Sequence, residues 1–187
     1  MVKVPRRDCV RISGAKYADE AFPDLYQGMS EFALTSGRFS TVDLLHYILE
    51  FTGDAYVDCA SWCGSYGTMR SVHDFLTDGN MLGFRMIMDG GFENARKGFC
   101  AWVDENIGDV IALVPNHAKF CAIYNESWSF VVETSANLTK SVRTEHYRVT
   151  EDPDFCSWVV DYFDEIFELK AQKGGRIFKE DLADMYR

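Results

Sequence analysis

A histidine and a lysine two residues apart, followed by a return arm that ends in serine and asparagine, form the pattern with the most chemistry in this chain of 187 residues. In NHAKFCAIYNESWSFVVETSAN, residues 116 to 137, apolar residues on both arms flank a polar turn at Asn125-Glu126-Ser127, the mark of a β-hairpin. Alternation along a strand then directs His117, Lys119 and Cys121 to one face. Thr134, Ser135, Ala136 and Asn137 stand at the end of the paired arm. An imidazole that can attack or donate a proton, a fixed ammonium charge, and neutral hydroxyl and carboxamide groups together make an anion site. Taken singly, a histidine before a strand and a lysine on a hairpin are ordinary packing or surface residues. Agreement of separate segments on one chemistry is what selects them.

The elements that position this hairpin can be read from periodicity. Residues 1 to 39, broken by Gly14, Pro23, Gly28 and Gly37, sustain no period and read as an extended arm packed on the domain. Ser40 or Thr41 can cap a helix ending at Gly53, with Leu44, Ile48 and Phe51 on its apolar face. Strand patterns follow at 55 to 64 and 81 to 91, each leading into a helical pattern, the second with Phe92, Ala95, Phe99 and Trp102 in register. A strand at 109 to 116, the hairpin, a short strand around HYRVTE and an amphipathic helix from Asp152-Pro153 complete the domain, 40 to 172. Residues 173 to 187 form a polar tail with a brief helical pattern. Strands alternating with helices, then a hairpin, predict an α/β fold whose mixed sheet is sandwiched by helices on both faces. In such sheets chemistry gathers at one end of the strands.

Composition narrows the classes. With 47% hydrophobic and 14% aromatic residues the chain can bury a sizeable core. It has no apolar run of about 18 residues, and its start, MVKVPRRDC, lacks the apolar stretch of a secretory signal, so a soluble cytoplasmic protein without a membrane role is expected. The six cysteines show no C-x-x-C pair, and Cys59, Cys100, Cys121 and Cys156 lie among apolar neighbours, as reduced core cysteines do. No histidine has zinc-ligand spacing, and His46 reads as a packed or surface residue. A net charge of −10 opposes a broad nucleic-acid surface but leaves room for a local basic pocket, because screening confines surface charges to about 8 Å.

The order H-x-K, hairpin return, S-x-N resembles the phospholipase D-like superfamily, whose motif is H-x-K-x4-D-x6-G-S-x-N. Its single-motif members, often encoded by phages and prophages, are also similar in the strand around ASW, the Asp89 turn, RTEHYRV and the helix DPDFCSWVVDYFDEIF, so that the likeness spans residues 38 to 168. The resemblance implies that His117 is the nucleophile, Lys119 grips phosphate, Ser135 and Asn137 contact its oxygens, and Glu145 holds the imidazole in its tautomer. Three departures stand out. Tyr124, followed by Asn125, occupies the aspartate position, Thr134 replaces the glycine, and the hairpin is three residues longer.

Family chemistry needs two histidines, one to attack phosphorus and one to protonate the leaving oxygen. His46, His73 and His146 have no lysine two residues on, so no second motif exists in the chain. The resemblance therefore implies a homodimer with the site shared across its twofold axis, no metal or other cofactor, and a nuclease acting on DNA or RNA through a phosphohistidine. The competing reading is a catalytically weak binding or inhibitory module that engages a basic protein partner. Ser61 and Trp62 would line the entrance or, for Trp62, fill the core. Lys140, Arg143 and Arg148 would guide phosphate or stand as solvated charges.

Overall fold

A computed structural model describes residues 9–12, 16–91, 97–140 and 142–185. Its strands are β1 (Cys9–Ile12), β2 (Ser30–Thr35), β3 (Ala55–Ser61), β4 (Met81–Asp89), β5 (Ile111–Val114), β6 (Phe120–Tyr124), β7 (Ser129–Thr134) and β8 (Glu145–Glu151). Its helices are α1 (Ala18–Ala21), α2 (Thr41–Thr52), α3 (Tyr66–Thr77), α4 (Lys97–Asn106), α5 (Pro153–Lys173) and α6 (Lys179–Met185). One sheet takes all eight strands in the order β1-β2-β8-β7-β6-β3-β4-β5. The β3, β4 and β5 strands run parallel through helical crossovers, whereas β6, β7 and β8 form an antiparallel meander against β3. The α/β sandwich expected from the sequence is present.

One face carries α1 to α4. The α2 helix starts where Ser40 and Asp43 form a capping box, each side chain bonding the other's backbone N–H, and stops at Gly53 with φ 72°. It buries Leu44, Leu45, Ile48 and Leu49 against the sheet, joined by Met69 and Val72 of α3 and Phe99 and Val103 of α4. Phe51, expected on the same face, is 40% exposed and leans on Trp128 with ring centroids 4.9 Å apart. Phe92 and Ala95 lie outside the described residues.

The other face is covered by α5. Asp152 caps it by accepting from the backbone N–H groups of Asp154 and Phe155, Pro153 opens its first turn, and Gly174 ends it in the left-handed region. Its stripe of Cys156, Val159, Phe163 and Ile166 packs on Ala60, Ala112 and Ala122, small residues that let the helix approach the strands. Phe163 is fully buried there, and truncating it to alanine would cost about 3–5 kcal/mol.

The N-terminal segment differs from the arm read in the sequence. Residues 30–35 form a strand inside the sheet, paired antiparallel with β8 from Ser30↔Thr150 to Thr35↔Glu145, and β1 adds parallel to it. Its Glu31, Ala33 and Thr35 are buried while the alternate positions are half-buried, so period two is present but short. Residues 1–8 and 13–15 lie outside the described residues. In the tail, α6 occupies the brief helical pattern. Among the described residues no helix is long and apolar enough to cross a membrane.

Candidate active site

The residues singled out by the sequence converge on one end of the sheet, where β3, β4, β5 and β7 finish and β6 and β8 begin. Asn116 builds the approach. It is buried, its carboxamide N–H groups donate to the carbonyls of Ser61 and Ala118, both at 3.1 Å, and its Oδ1 accepts from Ala118 N–H at 3.1 Å. Asp89, at the end of β4, accepts from the Asn116 N–H at 3.2 Å and from Gly91 N–H at 2.9 Å. This clamp fixes the chain one residue before His117, which is exposed.

Lys119 stands one residue before β6, in the segment between β5 and β6 that has no regular structure. Its Nζ donates to the carbonyl of His117 at 2.8 Å. Thr134 N–H donates to the Lys119 carbonyl at 3.1 Å, so the end of β7 lies directly beside the H-x-K segment.

The S-x-N turn is tied down on two sides. On the β8 side, Thr134 Oγ1 donates to the His146 carbonyl at 2.7 Å, and Ala136 N–H donates back to Thr134 Oγ1 at 2.9 Å. The replacement of the motif glycine by threonine thus supplies a hydroxyl that staples the turn. On the β3 side, Leu138 N–H donates to Ser61 Oγ at 2.9 Å, and that hydroxyl donates to the Cys63 carbonyl at 2.8 Å. Gly64 pairs with Leu138 here, and a Cβ on it would come within 2.9 Å of the buried Phe99 ring, which would have to shift to admit it.

Ser135 donates its hydroxyl to Glu145 Oε2 and accepts from the His146 N–H at 3.1 Å. Among the described residues the His117 imidazole has no hydrogen-bond partner, and the Glu145 carboxylate is engaged by Ser135 and not by the imidazole. Asn137 Oδ1 is shielded from solvent without a donor among the described residues.

Tyr124, in the aspartate position, has the parity opposite to His117 and faces α5. Its hydroxyl donates to Asp58 Oδ2 at 3.3 Å. Asp58, 1% exposed, is held by Arg85 through two bonds of 2.7 Å, and the guanidinium lies over Phe163 and Phe167. Burial pushes the Asp58 carboxyl above its usual range against the opposing pull of Arg85. Burial and the nearby carboxylate also push the Tyr124 phenol up, so it stays a donor. Tyr124 thus reaches across to a buried carboxylate of the neighbouring strand β3.

The remaining sequence readings resolve as follows. Ser61 is 1% exposed and forms the floor of the site, whereas Trp62 is 43% exposed and not a core residue. His46 stacks on Phe75 at 5.1 Å and faces Glu50 at 3.6 Å, a surface role. Asn116 and the Asp58–Arg85 pair were missed. The available signals were an asparagine directly before H-x-K and a charged residue in the middle of AYVDCAS. Among the described residues no group of three histidine, cysteine or acidic side chains is placed to hold a metal ion.

Comparison with known proteins gives the fold a name. NucT from Helicobacter pylori superposes with a TM-score of 0.54 over 75% of this chain and 97% of its own, at 15% identity. Nuc from Salmonella typhimurium, a phospholipase D family member, superposes with a TM-score of 0.51 over 75% of this chain and 94% of its own, at 12% identity. No protein-family model and no curated protein matches the sequence. The chain has the phospholipase D-like fold.

Proposed function

We propose that the protein is a phosphodiesterase of the phospholipase D type, a nuclease, with His117 as nucleophile. The observation that carries this reading is that H-x-K, S-x-N and the downstream glutamate, distant in sequence, gather at one end of a sheet shared in fold with Nuc and NucT. In the first step an imidazole nitrogen of His117 bonds to phosphorus as the P–O bond to the leaving oxygen breaks. The His117 of a second copy gives that oxygen its proton. Water then attacks phosphorus, loses a proton to the second imidazole, and breaks the P–N bond. Lys119 and Asn137 supply charge and hydrogen bonds to the non-bridging oxygens.

A shared site follows from the chemistry, since the chain carries one H-x-K motif and a lone imidazole has no acid partner. The competing reading, a weak or inactive module binding a basic protein, draws on the −10 charge and on the absence of a carboxylate bonded to His117 among the described residues. Incubating single- and double-stranded DNA and RNA with wild type and His117→Ala in EDTA separates the two. Cleavage that survives chelation and disappears in the variant supports the nuclease, and uncut substrates throughout support the module. A strictly monomeric mass by light scattering under assay conditions would remove the shared site.

A further inference from the structure

A groove of about 530 Å³ opens between α1 and the length of α2, with Arg38 and Lys140 on its wall. Its cations are Lys16, Arg38 and Lys140, and Tyr17, 65% exposed, stands at its edge. We propose that this groove binds the single-stranded nucleic acid that flanks the scissile phosphate. The inference deepens the nuclease reading and rests on it for the chemistry at His117, but not for binding.

Position is the first argument. Arg38 lies three residues past Thr35, the β2 residue paired with Glu145, and Lys140 lies three residues past Asn137. Three residues reach at most about 10 Å, so both cations are anchored next to the candidate site. Along the sheet β2 is three strands from β6, about 14 Å at ordinary strand spacing. A single strand with one phosphate at His117 crosses that distance in about two to four nucleotides, depending on how far it is extended.

Charge is the second. The chain carries −10 overall, yet this groove balances its three carboxylates with three cations. Two of its acids accept hydrogen bonds and the third lies beside a histidine. Asp43 binds the Ser40 N–H at 2.7 Å and hydroxyl at 2.8 Å, Asp19 accepts from Glu20 N–H at 3.0 Å, and Glu50 faces His46. Among the described residues the side chains of Lys16, Arg38 and Lys140 have no hydrogen-bond or ion-pair partner. The hydrogen-bonded carboxylates keep their charge, so the groove is neutral overall on an acidic chain, and its unpaired cations are the groups a phosphate can meet there.

Tyr17 decides between single and double strands. Its ring is exposed and touches no other aromatic ring among the described residues. Aromatic platforms stack on bases whose faces are open, which a duplex does not offer.

The test uses full-length protein and an end-labelled oligodeoxythymidylate, alone or annealed to oligodeoxyadenylate, read by fluorescence anisotropy in a His117→Ala background that leaves the probe intact. Replacing Arg38 and Lys140 together by alanine is expected to weaken single-strand binding about tenfold and to flatten the salt dependence by about 1.4 in log–log slope. Tyr17→Ala should weaken single-strand binding at least about fivefold and leave duplex binding unchanged. With His117 intact, the Arg38/Lys140 double variant should lose more in cleavage of the oligonucleotide than in hydrolysis of bis-p-nitrophenyl phosphate, which has no flanking strand. Unchanged oligonucleotide affinity and salt slope in the double variant, no binding by the background protein, or tighter binding of duplex than of single strand would each overturn the groove. Groove-dependent binding without cleavage of DNA or RNA by wild type leaves the groove standing and removes the nuclease reading.

Discussion

Ser135 joins the S-x-N turn to the start of β8: its hydroxyl donates to the Glu145 carboxylate and accepts from the His146 N–H at 3.1 Å. The two catalytic candidates that are ten residues apart in sequence thus act as one unit. Ser135→Ala leaves a half-buried carboxylate and a backbone donor without that partner, which should cost about 1–3 kcal/mol in denaturant unfolding. Ser135→Thr, which keeps the hydroxyl, should recover most of it. Equal stability of wild type and Ser135→Ala would show that water replaces the hydroxyl and that the bond is not what holds Glu145.

Arg85 and Asp58 give a pH-dependent expectation. Removing the guanidinium leaves a carboxylate with 1% exposure unpaired, so Arg85→Ala should lose about 3–5 kcal/mol near neutral pH. Asp58 is already raised by burial, and loss of Arg85 raises it further. A group raised in the folded state contributes stability that is full below its unfolded pKa and lost as pH rises through the folded value. The deficit of the variant against wild type should therefore narrow as pH falls towards the ordinary carboxylate range, about 4. A deficit constant across that window would mean that Asp58 does not titrate with the fold.

The hairpin of β6 and β7 was legible because it is local: two apolar arms and a polar turn mark it, although His117 and Lys119 stand just before β6 and not in it, so the period of the strand does not place them on one face. The helix from Asp152-Pro153 was legible for the same reason, since its cap and its first-turn proline sit side by side. What escaped depends on partners far along the chain. SEFALT shows a weak alternation alone and becomes an interior strand because β8, more than a hundred residues later, offers an edge. Asp58 looks misplaced in a strand until the register sets it beside Arg85. Glu145 could be matched to a carboxylate by resemblance, but its bond to Ser135 depends on how β7 and β8 pair, which spacing does not encode.

Cys59 and Cys121 face each other across β3 and β6 with their sulfurs 2.9 Å apart, and both are buried. Burial, with the neighbouring thiol and Asp58, pushes the Cys59 pKa up, and burial pushes Cys156 up to about 12. Iodoacetamide in mildly alkaline buffer should leave all three unmodified in the native protein and alkylate them after denaturation, as peptide mass spectrometry can follow. Rapid native labelling of Cys59 or Cys121 would show that the sheet opens next to the H-x-K segment.

Asn137 holds an oxygen away from solvent with no donor among the described residues, a costly arrangement for a structural side chain. An acceptor left so can be completed by a donor from a second subunit, while the N–H groups of the same carboxamide are the ones able to donate to a phosphate oxygen, the cost being borne by the rest of the core. Asn137→Ala removes the orphan oxygen and should leave stability unchanged or raise it by up to about 1 kcal/mol, while turnover of a phosphodiester falls by about a hundredfold or more. The two readouts are expected to move apart. A variant that loses stability and activity together would mark Asn137 as a structural residue and would shift the burden of phosphate contact to Lys119 alone.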